Sequence, residues 1–216
     1  SAQNPTIQYT LGMSKPHTHL FEVEASFTRL PSGDKTVDFI MPAWRTGRYV
    51  IFDFAGAVQE FSAVGENGKP LDWSKVDKET WRVEKRENSV TIRYKVYADE
   101  FNMRTKGLNS EHAFLDPASV FMYVDKYKNL PLQLTLDPYK DWHVTTGLDA
   151  TGGSKTKFSA PIRIIKTLFS FHPLLSTLQE NCQHETPHPL HNDPYSHGIR
   201  TESDDSVHTR HVEAAY

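Results

Sequence analysis

Apolar and polar residues alternate along several stretches of the first 160 residues. From Phe21 to Thr28, apolar side chains take every second position, and glutamate, serine and threonine take the positions between them. The segments Val90–Ala98 and Leu132–Leu136 repeat this alternation. A period of two places one set of side chains on each face of a strand. The pattern therefore predicts antiparallel sheets with one face in water.

Turn signals separate these predicted strands. Asn67 and Gly68 stand between two apolar runs, and both residue types tolerate a positive φ, which is typical of a tight hairpin. Asn88 and Ser89 give a weaker signal of the same kind before the strand that starts at Val90. Short strands at regular spacing with turn residues between them predict a mainly β fold, an antiparallel β-sandwich, over residues 1–160.

The segment Met41–Phe61 predicts a strand–loop–strand corner. Pro42 has no backbone N–H, so it should end the first strand. Gly47 allows the chain to reverse, and Trp44 on one side faces the apolar run Tyr49–Phe54 on the other. Aromatic residues on both sides of the turn indicate a structured loop.

Residues 161–216 have a different composition. They contain seven of the eleven histidines, five prolines and a single glycine. Between Ile164 and Leu178 the apolar residues fall at helical spacing, which predicts one amphipathic helix that Pro173 would kink. Beyond Gln179 aliphatic residues are scarce, and such a segment buries too little surface to offset the entropy of ordering it. We therefore predict a domain boundary near residue 160, followed by a short helical or disordered tail.

The ordered motifs of the first part resemble the N-terminal domain of the glycyl aminopeptidases, a family of zinc metallopeptidases. The resemblance rests first on Met41–Phe61 and covers about residues 7 to 160. Thr46 stands where the family usually has proline, and Arg48 where it often has a small residue. The other matching motifs are the opening strand His17–Glu24, then Arg93–Ala98, Arg104 with Thr105, His112–Tyr123 and the closing strand Asp141–Leu148. The tail from 161 to 216 shows no such resemblance.

Composition excludes several classes of protein. A net charge of −3 and a pI near 6.4 argue against a nucleic-acid binder, which would need a basic face. No apolar run approaches the ~20 residues that span a bilayer, so we expect no membrane segment. Cys182 is the only cysteine, so an intramolecular disulfide is impossible and cysteine content does not indicate the redox compartment. The resemblance implies that export is common, which favours a periplasmic or secreted location.

One short motif matches a zinc site. His184, Glu185 and His188 form H-E-x-x-H, in which two histidines on one helical face bind zinc and the glutamate serves as general base. Pro187 lies inside the required helical turn, and Pro189 disfavours the α region for His188. We therefore disfavour a zinc site here and expect no cofactor in this chain. Zinc is expected only in a full-length relative.

The resemblance implies a function for the corner loop. In the family, the β domain packs on the catalytic domain and helps to wall the substrate cleft. Trp44 and Tyr49 are the candidate contacts for a partner domain or substrate, and Arg45 and Arg48 could hold a carboxylate through their planar guanidinium groups. Arginines that merely keep the loop soluble explain the same residues equally well.

We interpret the chain as a non-catalytic N-terminal domain that docks on, and shapes the cleft of, a catalytic domain absent from this sequence. The alternatives are a stand-alone module that binds a peptide or carbohydrate through aromatics near Trp44 or Trp73, and a degenerate zinc hydrolase that uses the tail histidines. The expected partners are a catalytic peptidase domain or a second copy of the chain, with a peptide as a further candidate. The substrate and the oligomeric state stay open.

Overall fold

The computed structural model describes residues 4–43, 51–100, 105–148, 150–160 and 169–173, with the backbone alone for 160 and 169–173. Thirteen strands dominate these residues, and the helical residues among them belong to one-turn 3-10 helices. The strands are β1 Thr6–Gly12, β2 Leu20–Thr28, β3 Thr36–Ile40, β4 Val58–Val64, β5 Trp73–Lys75, β6 Thr80–Glu84, β7 Ser89–Tyr97, β8 Lys106–Leu108, β9 Ala113–Leu115, β10 Leu132–Asp137, β11 Trp142–Thr146, β12 Lys157–Ala160 and β13 Phe169–Pro173.

The largest sheet has six strands in the order β12-β10-β1-β2-β7-β4. The two central strands, β2 and β7, pair over nine residues, and their inward side chains alternate with polar ones as the sequence predicts. One pair departs from the antiparallel expectation, because β1 and β10 run parallel, with Ile7 opposite Leu132. The sheet is therefore mixed.

A three-stranded sheet, in the order β3-β6-β5, packs against the inward face of the six-stranded sheet. Phe27 of β2 meets Phe39 of β3 edge-on, with ring centroids 5.3 Å apart. At the open side of the sandwich, a β-bulge between Gln59 and Ser62 interrupts the pairing of β4 with β7. Phe61 within this bulge stacks on Trp81 of β6, which closes the space between the two sheets.

A four-stranded sheet, in the order β11-β13-β9-β8, continues from the end of the six-stranded sheet. The Leu108 amide donates to the Ala98 carbonyl at 2.9 Å, so the chain leaving β7 pairs directly with β8. β13 lies between β11 and β9 and pairs antiparallel with both. The four-stranded sheet therefore depends on a strand that follows residue 160.

Two buried tyrosines fasten the segment after β9 to the six-stranded sheet. The Tyr94 hydroxyl accepts a hydrogen bond from the Met122 amide and donates to the Val120 carbonyl, both at 2.9 Å. The Tyr9 hydroxyl donates to the Met122 carbonyl at 2.7 Å. Burial raises the pKa of both phenols above the ordinary value. These bonds satisfy backbone groups that would otherwise be buried without partners.

The sequence-based prediction of a mainly β sandwich is confirmed. Pro42 follows the end of β3 as expected, and Gly68 has a φ of 72° in a turn where the Gly65 amide bonds to the Lys69 carbonyl. Beyond that turn the chain crosses to the three-stranded sheet, where β5 pairs with β6 rather than with β4.

Four local predictions are wrong. The predicted amphipathic helix does not exist at residues 169–173, which form strand β13 and end with Pro173. His17–Glu24 does not open the fold, because β1 precedes it, and Asp141–Leu148 does not close it, because β12 and β13 follow. Residues 51–54 form no strand after the corner loop. The boundary near residue 160 stays a prediction. The first compact unit of the chain runs from Ser1 to Leu175, and the second, Ser176–Tyr216, lies outside the described residues.

Candidate docking surface

The predicted contact residues Trp44, Arg45, Arg48 and Tyr49 lie outside the described residues, whereas both ends of their loop are described. The Phe52 amide donates to the Ala43 carbonyl at 3.0 Å. This bond joins the two described ends of the loop. We call the described residues at its base, 41–43 and 51–57, the loop stem.

The loop stem is fastened to two other parts of the fold. Ile40 and Tyr123 exchange both backbone hydrogen bonds, at 2.8 and 2.9 Å, just before the stem. The Met41 amide donates to the Glu79 carbonyl at 2.9 Å in the turn between β5 and β6. Met41 itself is fully buried. The stem is therefore a fixed support for whatever the loop presents.

Apolar side chains on the second half of the stem divide between core and surface. Phe54 is buried, and Phe52 stacks on it with nearly parallel rings whose centroids are 4.9 Å apart. Ile51, next to the loop, is 70% exposed, the largest exposure among the large apolar side chains that the structure describes. Ile51 is therefore an apolar side chain at the surface beside the loop, on a backbone that the stem holds in place.

An ion pair joins the stem to the turn between β5 and β6. The Asp53 carboxylate lies 2.9 Å from the Lys78 ammonium and accepts the Gly56 amide at 3.0 Å. The hydrogen bond from Lys78 lowers the pKa of Asp53 below its usual value, with a smaller contribution from the Gly56 amide. Val76, in the same turn as Lys78, is 49% exposed. Ile51 comes two residues before Asp53 and Val76 two residues before Lys78, so the ion pair joins the two segments that carry these exposed side chains. We call Ile51, Asp53, Val76 and Lys78 the docking surface.

A buried lysine lies beneath the stem. Lys106 of β8 is only 2% exposed, and its ammonium is 5.3 Å from the centroid of the Phe54 ring. Burial lowers the pKa of Lys106, and the charge of Glu100 opposes this shift. Sequence reasoning did not find this residue, because all three residues of β8 are buried and no alternation marks them.

Aromatic residues also line the open edge of the sandwich. Trp73 of β5 is 43% exposed and meets Phe61 edge-on, with centroids 4.9 Å apart. The Lys75 ammonium lies 3.9 Å from the centroid of the Trp81 ring. We call this group the aromatic edge. It is the described part of the chain that fits the alternative of a peptide- or sugar-binding module.

The outer face of the six-stranded sheet is polar and internally paired. Arg93 bonds to Glu24 at 2.6 Å, and Lys95 pairs with Glu60 at 2.5 Å across neighbouring strands. Glu60 has a φ of 50°, within the bulge that turns Phe61 inward. A face whose charges already pair with one another gains little from being covered by a partner. This face is therefore the weakest candidate for docking.

The zinc chemistry considered from sequence has no donor set among the described side chains. Within those residues, no group of three or more His, Cys, Asp or Glu is placed to bind a metal ion. His184, Glu185, Pro187 and His188 lie outside the described ranges, so the interpretation of their motif stays a prediction. None of the described helices has the length and hydropathy that crossing a membrane requires.

Comparisons with known proteins agree with the fold. A family profile described as the peptidase M61 N-terminal domain matches residues 8–162. An aminopeptidase N family protein from Idiomarina loihiensis has a similar structure, with a TM-score of 0.72 at 26% identity over 77% of this chain. An M1 zinc metallopeptidase from Deinococcus radiodurans, solved as a variant bound to a Tyr-Ser-Ala substrate, has a TM-score of 0.46 at 10% identity over 79% of this chain. No curated protein sequence matches significantly.

The family profile places the chain in a class of peptidase-associated β domains. Because the profile spans most of its length, the chain belongs to the peptidase M61 N-terminal domain family. The resemblance deduced over about residues 7 to 160 is thereby confirmed, with nearly the same bounds. The chain spans 29% of the length of the Idiomarina loihiensis protein and 43% of the Deinococcus radiodurans one.

Proposed function

We propose that this chain is the non-catalytic N-terminal domain of a glycyl-aminopeptidase-like metallopeptidase, and that it docks on a catalytic domain and helps to shape the substrate cleft. The family match supports the first part, because the matched segment is an N-terminal domain of peptidases. The exposure of Ile51 on a fixed stem carries the second part. The zinc and the peptidase activity would then belong to the catalytic domain.

The physical argument starts with the exposed apolar area. Leaving a large aliphatic side chain in water forgoes about 1.5–3 kcal/mol that its burial would provide. Ile51 and Val76 are both exposed, so the folded chain lacks part of this stabilising free energy at each of them. Phe54, three residues after Ile51, is by contrast buried in the core. Interface centres are apolar and rigidly supported, whereas their rims are polar. Asp53 and Lys78, each two residues after one of these apolar side chains, supply exposed charges of the kind found at a rim.

The loop residues fit the same surface. In the sequence, Trp44, Arg45, Arg48 and Tyr49 lie between Ala43 and Phe52, whose backbones are joined by a hydrogen bond, and Ile51 comes two residues after Tyr49. Tryptophan, tyrosine and arginine are the residue types that most often dominate binding at protein interfaces. We therefore assign the loop to the docking contact, with the arginines available to carboxylates of the partner or of a bound peptide.

An association measurement tests this function. The full chain is titrated into a separately produced catalytic portion of its parent protein, and the Kd is measured by calorimetry. We expect Ile51→Ser to weaken association at least tenfold, because it removes apolar contact without disturbing the core. Tyr97→Ser is the matched control, since Tyr97 is also an exposed large side chain, 43% exposed, on the polar outer face. Equal effects of the two variants, or no association by the unaltered chain, would refute the proposal.

The aromatic edge supports one alternative, a stand-alone binding module. A half-exposed tryptophan held edge-on by Phe61 offers a fixed platform for a sugar ring or a peptide side chain. Saturable quenching of tryptophan fluorescence by an oligosaccharide or peptide panel, abolished by Trp73→Ala and retained by Ile51→Ser, would favour this function. No quenching by any member of the panel would remove it.

A further inference from the structure

The turn after β4 contains Asn67 and Gly68, and Asn67 is the only asparagine of the sequence that glycine follows. Gly68 has a φ of 72°, and no atom beyond its chain neighbours lies within 4 Å of the place where a Cβ would stand. Asn67 itself is exposed. The Gly68 backbone nitrogen is therefore uncrowded, and water reaches the Asn67 carboxamide.

An asparagine carboxamide and the backbone nitrogen that follows it react when they meet. The deprotonated Gly68 nitrogen attacks the Asn67 Cγ and forms a C–N bond, while the bond from Cγ to Nδ2 breaks. The proton that the nitrogen gave up joins Nδ2, which leaves as ammonia. Water then adds to one carbonyl carbon of the succinimide ring and opens it to aspartate or isoaspartate. A side chain on the following residue hinders this ring closure, so glycine permits it best.

Two hydrogen bonds engage the reacting groups in the native turn. The Gly68 amide donates to the Gly65 carbonyl at 3.0 Å, and the Asn67 Nδ2 donates to the Glu87 carboxylate at 3.4 Å. The other Glu87 oxygen accepts the Glu66 amide at 3.1 Å. Both bonds to Glu87 are exposed, and such bonds contribute little net stability, so the turn can open while the sheets stay folded. Glu87 therefore restrains Asn67 without excluding it from reaction.

We propose that Asn67 is a site of spontaneous deamidation, in which the Gly68 nitrogen is the nucleophile and Glu87 slows the reaction. The product carries a carboxylate where the Asn67 amide donated to Glu87, so two like charges face each other. Lys69 is the only cation among the five residues of the turn, 65–69. The modified turn is therefore less stable than the original one.

The turn leads from β4 to the aromatic edge. Just after it, the Leu71 amide donates to the Ala63 carbonyl at 2.9 Å, and Trp73 starts β5 two residues later. Deamidation acts on this side of the sandwich and not on the docking surface, so it does not depend on the proposed function. We expect it to lower the urea concentration at which the domain unfolds.

Peptide mapping by mass spectrometry follows the reaction in the full chain. During incubation in mildly alkaline buffer, which favours the deprotonated amide, the peptide that contains Asn67 should gain the mass of one deamidation and separate into aspartate and isoaspartate forms. Asn88 and Asn109 are internal controls, because serine follows each of them. Asn67 should convert several-fold faster than either control. Equal rates at the three asparagines, or no conversion at Asn67, would overturn the inference.

Variants of Glu87 test its restraining effect. Glu87→Ala should make conversion about two- to tenfold faster, the factor that the net strength of one hydrogen bond implies. Glu87→Gln keeps an acceptor for the Asn67 amide and should restore the slow rate. Glu84→Ala, the same change at an exposed position of β6, is the matched control and should not alter the rate. Conversion that is no faster in Glu87→Ala than in the unaltered chain would contradict the assignment of Glu87.

Two further measurements separate local opening from unfolding of the whole domain. Tyr9→Phe removes a buried hydrogen bond to the Met122 carbonyl, so it destabilises the domain without changing the turn, and the rate at Asn67 should stay the same. Faster conversion in this variant would show that the reaction needs the unfolded chain and would overturn the local mechanism. Asn67→Asp reproduces the charge of the product and should lower the urea midpoint, by less when Glu87→Gln is also present. Equal losses with and without Glu87→Gln would refute the proposed repulsion.

Discussion

Replacing Tyr94 by phenylalanine should destabilise the domain more than the same change at Tyr9. The Tyr94 hydroxyl serves two backbone groups, the Met122 amide and the Val120 carbonyl, whereas the Tyr9 hydroxyl serves the Met122 carbonyl alone. Both tyrosines are buried, so water cannot replace the lost partners. Leaving one buried polar group unpaired costs about 1–3 kcal/mol.

The expected loss of unfolding free energy follows from the number of buried polar groups that each change leaves unpaired. Tyr94→Phe leaves one donor and one acceptor without a partner, which costs about 2–4 kcal/mol. Tyr9→Phe leaves one acceptor without a partner, which costs about 1–2 kcal/mol. The two hydroxyls hold neighbouring peptide groups, so the double variant should lose less than the sum of the two single losses. Each change removes one oxygen and adds no bulk, so overpacking does not enter.

Urea unfolding followed by tryptophan fluorescence measures these losses. The midpoint should fall in both variants with an unchanged m-value, because the surface exposed on unfolding stays the same. A smaller loss for Tyr94→Phe than for Tyr9→Phe would refute the reasoning. So would a loss below about 0.5 kcal/mol in both variants, which is the size of an ordinary surface change.

Further outcomes follow from the same structure. Burial raises the pKa of Tyr9 and Tyr94, so the unfolded chain loses its phenolic protons at a lower pH than the folded chain does. The free energy of unfolding should therefore fall as the pH rises above about 10, by up to about 1.4 kcal/mol per pH unit for each tyrosine. Urea unfolding at pH 9 to 11 measures this fall, and an equal slope in the double phenylalanine variant would contradict it. Phe61→Ala should cost about 2–3 kcal/mol, less than a fully buried phenylalanine, because Phe61 packs on Trp81 but is only partly buried. Trp73→Ala should cost less still, since Trp73 is 43% exposed; the reverse order in urea unfolding would contradict the packing. A chain that ends at Leu175 should unfold cooperatively at a higher temperature than one that ends at Ala160, because β13 pairs with both β9 and β11. Equal midpoints would support a domain boundary near 160.

Sequence alone predicted the strands whose side chains alternate between core and water. β2 follows this rule at every position and β7 from Val90 onward, and Pro42 marks the end of β3. The family resemblance also came from the sequence, because ordered motifs such as Met41–Phe61 can be recognised without knowing which strands pair. These features are local, and local patterns suffice to find them.

The missed features depend on partners distant in the chain. No local pattern near Leu132 indicates that its strand has a parallel neighbour, because that orientation depends on the pairing of β10 with β1, which is distant in the chain. The apolar spacing from Ile164 onward suits a helix, yet two strands that pair with 169–173 override that preference. The exposure of Ile51 and the burial of Lys106 likewise depend on what the fold places over them. Pattern reasoning therefore did not find Lys106.

The most direct test of the central claim is hydrogen–deuterium exchange of the full chain, alone and with the separately produced catalytic portion. Docking through the proposed surface predicts slower exchange at 51–57 and 76–80 in the complex. Amides on the polar outer face, in β2 and β7, should exchange at the same rate in both states. Protection confined to the aromatic edge at β4 and β5, or no change at 51–57 in a mixture that forms a complex, would contradict the account.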